Sequence, residues 1–198
     1  MNNKYAIGTN YKYLSKNYIS KYLVNNFNEV IKLILSDIKF KNYLDIGCGE
    51  GVILSILKTQ IKDKNCYGID IDQNHIEKAK FNAPFCHYKI GDIYKIPFSK
   101  NSYDLVTCFE VLEHLEYPHK AIKELKRVSS KYNLISVPRE PLWCMLNMIR
   151  GKYWKGLGNT PGHINNWSTK DIVNLLSNYF QIVKIYKPIP WTIILAKS

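Results

Sequence analysis

Two runs hold the residues of this chain best suited to chemistry: Asp45-Ile46-Gly47-Cys48-Gly49-Glu50-Gly51 and Phe109-Glu110-Val111-Leu112-Glu113-His114-Leu115. In the first, three glycines at alternate positions follow an extended apolar segment (Tyr43, Leu44, Ile46) and precede a helical one (Val52, Ile53, Leu54, Ile56, Leu57). Such glycines let the backbone bend sharply and lie against a ligand with no Cβ in the way. The N–H groups that open a helix would then face an anion. A turn with incidental glycines, or a dinucleotide loop, would also put glycine here. A dinucleotide fingerprint, however, spaces its glycines G-x-G-x-x-G, and Asp45 and Glu50 would repel a pyrophosphate. A ligand carrying both an ammonium and a carboxylate could use the acids and the N–H groups together. In the second run, Glu110, Glu113 and His114 stand at i, i+3 and i+4, positions that share one face of a helical turn. Two carboxylates and an imidazole on one turn suit a divalent cation such as Mg²⁺, Mn²⁺ or Zn²⁺. They can equally wall a pocket with no ion.

The elements that must position these runs alternate along the chain. Apolar residues at helical spacing (Ile19, Leu23, Phe27, Val30, Ile31, Ile34, Leu35) predict a helix over 16–38. Strands are expected at Tyr43–Ile46, 65–70, 86–90, 103–109 and 132–137, with helices at 51–60, 73–81 and 118–129, the last opened by Pro118. Ser168 is expected to cap a helix reaching about Tyr179, and two terminal strands, 181–186 and 191–197, complete a seven-stranded sheet. The alternation predicts an α/β fold with a doubly wound, mostly parallel sheet, Rossmann-like, in one domain over 1–198. Ligands of such sheets lie beyond the carboxyl ends of the strands. There the second strand ends in Asp70, about 20 residues past the glycines, where an acid can accept both hydroxyls of a ribose. The third is followed by Gly91-Asp92-Ile93. Asp70 and Asp92 could each, taken singly, be a helix cap.

The glycine heptad resembles the first motif of the class I S-adenosylmethionine-dependent methyltransferases, type 11-like, and matches it at every position. The resemblance implies S-adenosylmethionine as cofactor. It would be bound by Asp45, Gly47, Cys48, Gly49 and Gly51, by Asp70 and Ile71 at the ribose, by Asp92 and Ile93 at the adenine, and by Phe109. The pattern from Tyr103 to Leu115 (YDLVTCFEVLEHL), together with a downstream His163, resembles the ubiquinone-biosynthesis O-methyltransferases. Glu-x-x-Glu-His with a later His also resembles the small-RNA 3′-terminal 2′-O-methyltransferases, which hold their two terminal hydroxyls through a metal. His163 belongs to a long aromatic insertion over 138–168 (Trp143, Met145, Met148, Tyr153, Trp154, Leu157, Trp167), expected to be a substrate lid. Residues 1–40 are expected to form a helical flap. His163, His114 and Glu110 are the expected catalytic groups, an imidazole being a suitable base, with Glu110, Glu113 and His114 as ligands if a divalent cation is present. The expected reaction is methyl transfer to a small-molecule acceptor, a hydroxyl oxygen. The alternatives are a metal-assisted RNA 2′-O-methyltransferase and a non-catalytic cofactor-binding protein.

Composition narrows the partners. The chain of 198 residues has a net charge of +12, which could mean nucleic acid or an anionic membrane. Yet only Arg127, Arg139 and Arg150 are arginine, whose bidentate fork suits phosphate best, and the abundance of Lys, Asn, Ile and Tyr is what A+T-rich codons produce. Nucleic acid is therefore not expected as a partner. No apolar run reaches the length of a membrane span and no N-terminal stretch resembles a signal peptide, so a soluble, cytoplasmic protein is expected. The five cysteines form no C-x-x-C pair and read as reduced, mostly buried residues, neither disulfides nor metal ligands.

Overall fold

The computed structural model describes residues 18–198. Residues 1–17 of the expected flap over 1–40 therefore lie outside the described residues. What is described of it is helix α1, Tyr18–Asp37. Then follow β1 (Asn42–Ile46), α2 (Val52–Ile56), α3 (Lys58–Ile61), β2 (Asn65–Asp70), α4 (Gln73–Asn82), β3 (His87–Ile90) and β4 (Tyr103–Phe109). After a 3-10 turn at Leu112–His114 come α5 (Pro118–Val128), β5 (Ser129–Pro138), α6 (Leu142–Ile149), a second 3-10 turn (Trp154–Gly156), α7 (Thr169–Ser177), β6 (Gln181–Tyr186) and β7 (Trp191–Lys197).

The seven strands form one sheet in the order β3-β2-β1-β4-β5-β7-β6. The first five in that order pair in parallel, and β7 lies antiparallel to both β5 and β6. The order reverses between β1 and β4, so the crevice of this sheet opens where the loops after those two strands meet. Both chemistry-bearing runs lie in these loops. Central strands buried on both faces read as continuous apolar runs. Accordingly Tyr43, Leu44, Ile46, Leu105, Val106 and Cys108 are all within 1% of full burial. One core cluster fills the face under α1, where Phe27 packs against Trp191 at 4.8 Å and Phe109 at 6.2 Å between ring centroids. The other lies under α5 and α7, around Leu112, Ile122, Leu125, Ile172 and Leu176. Each such buried aliphatic or aromatic side chain stabilises the fold by about 1.5–3 kcal/mol.

Three expectations are corrected. The helix over 51–60 breaks at Leu57 into two short pieces. The fifth strand begins earlier, at Ser129. Cys66 and Cys86 form a disulfide that ties β2 to the residue before β3, so they are not free thiols; Cys48, Cys108 and Cys144 are. Burial pushes the Cys108 thiol well up and that of Cys144 up to about 12, keeping both protonated and unreactive. The cap of α7 is as the sequence implies. Ser168 Oγ accepts from the Asp171 N–H while Asp171 accepts from the Ser168 N–H, a reciprocal capping box.

Candidate functional site

The glycine loop folds on itself. Gly47, Gly49 and Gly51 have φ of 72°, 52° and 73°, the left-handed region where a side chain is strained. A Cβ on Gly47 would also meet Val111 Cγ2 at 2.5 Å, so the loop after β1 lies directly against the loop after β4. The N–H groups of Gly47 and Cys48 both donate to the Ile69 carbonyl (2.8 and 3.0 Å), Gly51 N–H to Cys48 O, and Gly49 N–H to Asp70 Oδ2 at 2.9 Å. These four donors fix the loop's own shape, and the loop offers a ligand close backbone approach and acids.

Those acids differ in setting. Glu50 pairs with Lys78 at 2.8 Å and its carbonyl accepts from Asn82 Nδ2, so α4 holds it. Asp45 is 3% exposed, and its Oδ1 accepts a 2.6 Å hydrogen bond from Thr107 Oγ1. Burial raises its pKa to about 7 against the opposing Thr107 bond, with the Asp70 charge adding to the rise. Asp70 is a built acceptor. Oδ2 takes the Gly49 N–H, while Oδ1 takes the Asp72 N–H at 2.9 Å and lies 3.2 Å from His75 Nδ1. Sequence reasoning missed His75, although its place in the first turn of α4, five residues after Asp70, was the available signal. Asp92 is exposed and caps its own turn, accepting from the Tyr94 N–H at 2.8 Å. Ile71 is exposed, Ile93 and Gly47 half-buried, Cys48 buried. Phe109 is 4% exposed and packed on Phe27, so it stands in the core under the crevice.

After β4, the expected common face of Glu110, Glu113 and His114 is corrected. Glu110 has φ 57° and lies outside the 3-10 turn. Its carboxylate accepts from Ser136 Oγ (3.1 Å) and from Trp191 Nε1 (2.8 Å). Glu113, His114 and His163 converge instead, with one ligand atom from each lying within 4.8 Å of the others. His114 Nδ1 lies 2.9 Å from the Gly162 carbonyl. A carbonyl can only accept, so Nδ1 donates to it, which leaves Nε2 turned toward Glu113, 4.0 Å from its Oε1. The His163 ring stands edge-on to His114 at 4.9 Å and stacks on Trp143 at 6.0 Å. It is 6% exposed.

The insertion is pinned over the turn after β4 by backbone and side-chain bonds that carried no sequence signal. Glu113 O accepts from the Ile164 and Asn165 N–H groups, each at 3.0 Å, and Asn165 Nδ2 reaches Leu112 O and Leu115 O. Trp143 Nε1 donates to Thr160 Oγ1 at 2.9 Å. A carboxylate and two imidazoles in this spacing could hold a first-row divalent cation, imidazole favouring Zn²⁺ over Ca²⁺.

Comparison with known proteins accords with this geometry. Residues 44–132 match the family described as a methyltransferase domain. An uncharacterized methyltransferase of Schizosaccharomyces pombe is 33% identical over 102 residues, 46% of this chain and 37% of its own length. The mitochondrial ubiquinone biosynthesis O-methyltransferase of Saccharomyces cerevisiae is 29% identical over 120 residues, 59% of this chain and 38% of its own. Across three curated relatives the chain spans only 31% to 53% of their lengths. In fold, the chain is similar to the magnesium protoporphyrin IX methyltransferase of Synechocystis, solved with bound SAH, at TM-score 0.69 and 19% identity over 92% of this chain and 88% of that one. It is also similar to a bacterial Hen1 methyltransferase domain, at TM-score 0.67 and 20% identity over 89% of this chain and all of that one.

Proposed function

Residues 44–132 carry a methyltransferase domain, and from that premise we propose that the chain transfers a methyl group from S-adenosylmethionine to a hydroxyl of a small acceptor. The observation that carries this reading is the convergence of Glu113, His114 and His163 beside a glycine loop flanked by Asp45 and Asp70. The cofactor, when bound, supplies the reactive methyl on its sulfonium. The chain's part is to orient two ligands and to manage one proton. Asp70, fixed by two backbone N–H groups, accepts the ribose hydroxyls. Asp92 and Ile93 border the adenine, and Asp45 faces the ammonium. On the acceptor side, 139–168 serves as a lid whose inner surface is Trp143 and His163. A neutral His163 or His114 takes the hydroxyl proton as methyl transfer proceeds, an imidazole being suited to that near neutral pH. A divalent cation held by Glu113, His114 and His163 would instead lower the acidity barrier of that hydroxyl.

Asp70→Ala is expected to weaken cofactor binding by about 2–3 kcal/mol, since hydrogen bonds to a charged group contribute about 1.5–3 kcal/mol each. Calorimetry giving an unchanged affinity would remove Asp70 from the site.

The acceptor is sought by incubating the protein with cofactor and cell extract, with and without a chelator, and reading products heavier by one methyl. Loss of products on chelation with cofactor binding intact assigns the cation. Persistence assigns the histidines alone. Cofactor binding with no methylated product in any extract would leave a binding protein. Nanomolar affinity for a defined RNA end at physiological salt would replace the small acceptor by RNA, because merely electrostatic RNA binding fades steeply with salt.

A further inference from the structure

The outer side of the insertion presents large apolar side chains among cations. Ile149, Trp154 and Leu157 are 77%, 63% and 78% exposed, and Met145, one helical turn before Ile149 on α6, is 51% exposed. These large apolar groups are drawn into one tip by backbone closure. Lys152 N–H donates to Asn147 O, Gly158 N–H to Tyr153 O, and Asn147 Nδ2 to Gly158 O, each at 2.9 Å. At Gly158 the chain runs so close to α6 that a Cβ would lie 2.1 Å from the Cys144 carbonyl oxygen. Around this tip stand the exposed cations Arg150, Lys152 and Lys155, and no acidic residue occurs between Glu140 and Asp171.

We propose that this tip docks onto an anionic lipid bilayer surface, with Ile149, Trp154 and Leu157 entering the headgroup–acyl boundary and Arg150, Lys152 and Lys155 meeting the lipid phosphates. Tryptophan and tyrosine rings suit that boundary, apolar at one end and polar at the other. Exposed apolar side chains gain free energy there in proportion to the area they bury, and neighbouring cations add attraction to anionic lipids. Among the described residues no helix is long and apolar enough to cross a membrane, so the contact is peripheral. Two other occupants fit less well. A nucleic-acid strand would use Trp154, Tyr153 and the cations but leaves the aliphatic Ile149, Leu157 and Met145 in water. A second copy meeting the same surface across a two-fold axis would set Arg150, Lys152 and Lys155 against an identical set of cations.

The test is flotation of the full chain with phosphatidylcholine vesicles, neutral or with about one third phosphatidylglycerol to supply a negative surface. Trp143 and Trp191 are buried, at 8% and 4% exposed, and Trp167 is half-buried, so a blue shift of tryptophan emission on vesicle addition reports mainly Trp154. Expected are binding to the anionic vesicles, weaker binding at high salt and to neutral ones, and a blue shift that Trp154→Phe removes while most of the binding remains. Leu157→Ser with Trp154→Ser should lower the partition coefficient more than tenfold. Lys155→Glu should lower it about fivefold or more. These positions are exposed, so unchanged thermal melting is expected alongside. No binding to anionic vesicles, equal binding to both kinds, or tip-dependent binding of single-stranded RNA in place of vesicles would each overturn the proposal.

Discussion

His163→Ala is expected to lower turnover by about 100-fold or more, the scale of positioned acid–base groups, while cofactor affinity stays within about threefold. The two effects separate because the groups come from different parts of the fold. Those proposed to face the cofactor follow β1, β2 and β3, where Asp70 and Gly49 are bonded to each other. His163 arrives from the insertion, 6% exposed, edge-on to His114 and stacked on Trp143. Under the proposed function its removal takes away either a base or a ligand atom at the acceptor. If it is the base, added chelator leaves the wild-type rate unchanged. If it holds a cation, added chelator brings the wild type down to the variant's rate. Steady-state kinetics and calorimetry on the same preparation check both. Unchanged turnover, or a parallel loss of cofactor affinity, would take His163 out of the acceptor site.

The residues show why some of this was legible in the sequence and some was not. β2, β4, β6 and β7 begin and end at the expected residues, since each is a short apolar run punctuated by Asn, Gly, Gln or Pro. The acids after β1, β2 and β3 sit at strand ends by topology, so their order along the chain was enough to place them. Glu110 was different. The spacing i, i+3, i+4 gathers three side chains only if all three residues are helical, and a φ of 57° takes Glu110 out of the turn. What turns it away lies at Ser136 and Trp191, 26 and 81 residues distant, beyond any local pattern. The Cys66–Cys86 bond had a readable signal, because Tyr67 pairs with His87 and one step back along parallel strands puts the cysteines side by side. Asn165, which fastens the insertion to Leu112 and Leu115, had none. Its role rests on hydrogen bonds to backbone carbonyls across about 50 residues.

Through Asp45, the protein without cofactor is expected to lose stability as pH rises. Its carboxyl is 3% exposed, and burial, the largest cause, raises its pKa to about 7 from the usual value of 3.8. Between those values the folded protein holds a proton that the unfolded chain has already lost. Stability therefore falls as pH climbs from about 4 to about 7 and is level on either side for this group. A shift near three units corresponds to about 4 kcal/mol, a large part of the stability of an ordinary domain. When Asp45 is ionised its Oδ1 accepts from the Thr107 hydroxyl at 2.6 Å, and the Tyr43 hydroxyl lies 2.9 Å from that of Thr107. That single donor offsets part of the desolvation, and the nearby Asp70 charge works against it. A ligand ammonium placed against Asp45 would favour the ionised form. Saturating S-adenosylmethionine should therefore flatten the pH dependence, and its affinity should rise as pH passes through about 7. Denaturant unfolding at pH 5 and pH 8, with and without cofactor, measures both slopes. Asp45→Asn keeps an oxygen for Thr107 and cannot ionise, so its stability should lose this component of the pH dependence. If the wild type and Asp45→Asn follow the same curve, the buried carboxyl does not govern it.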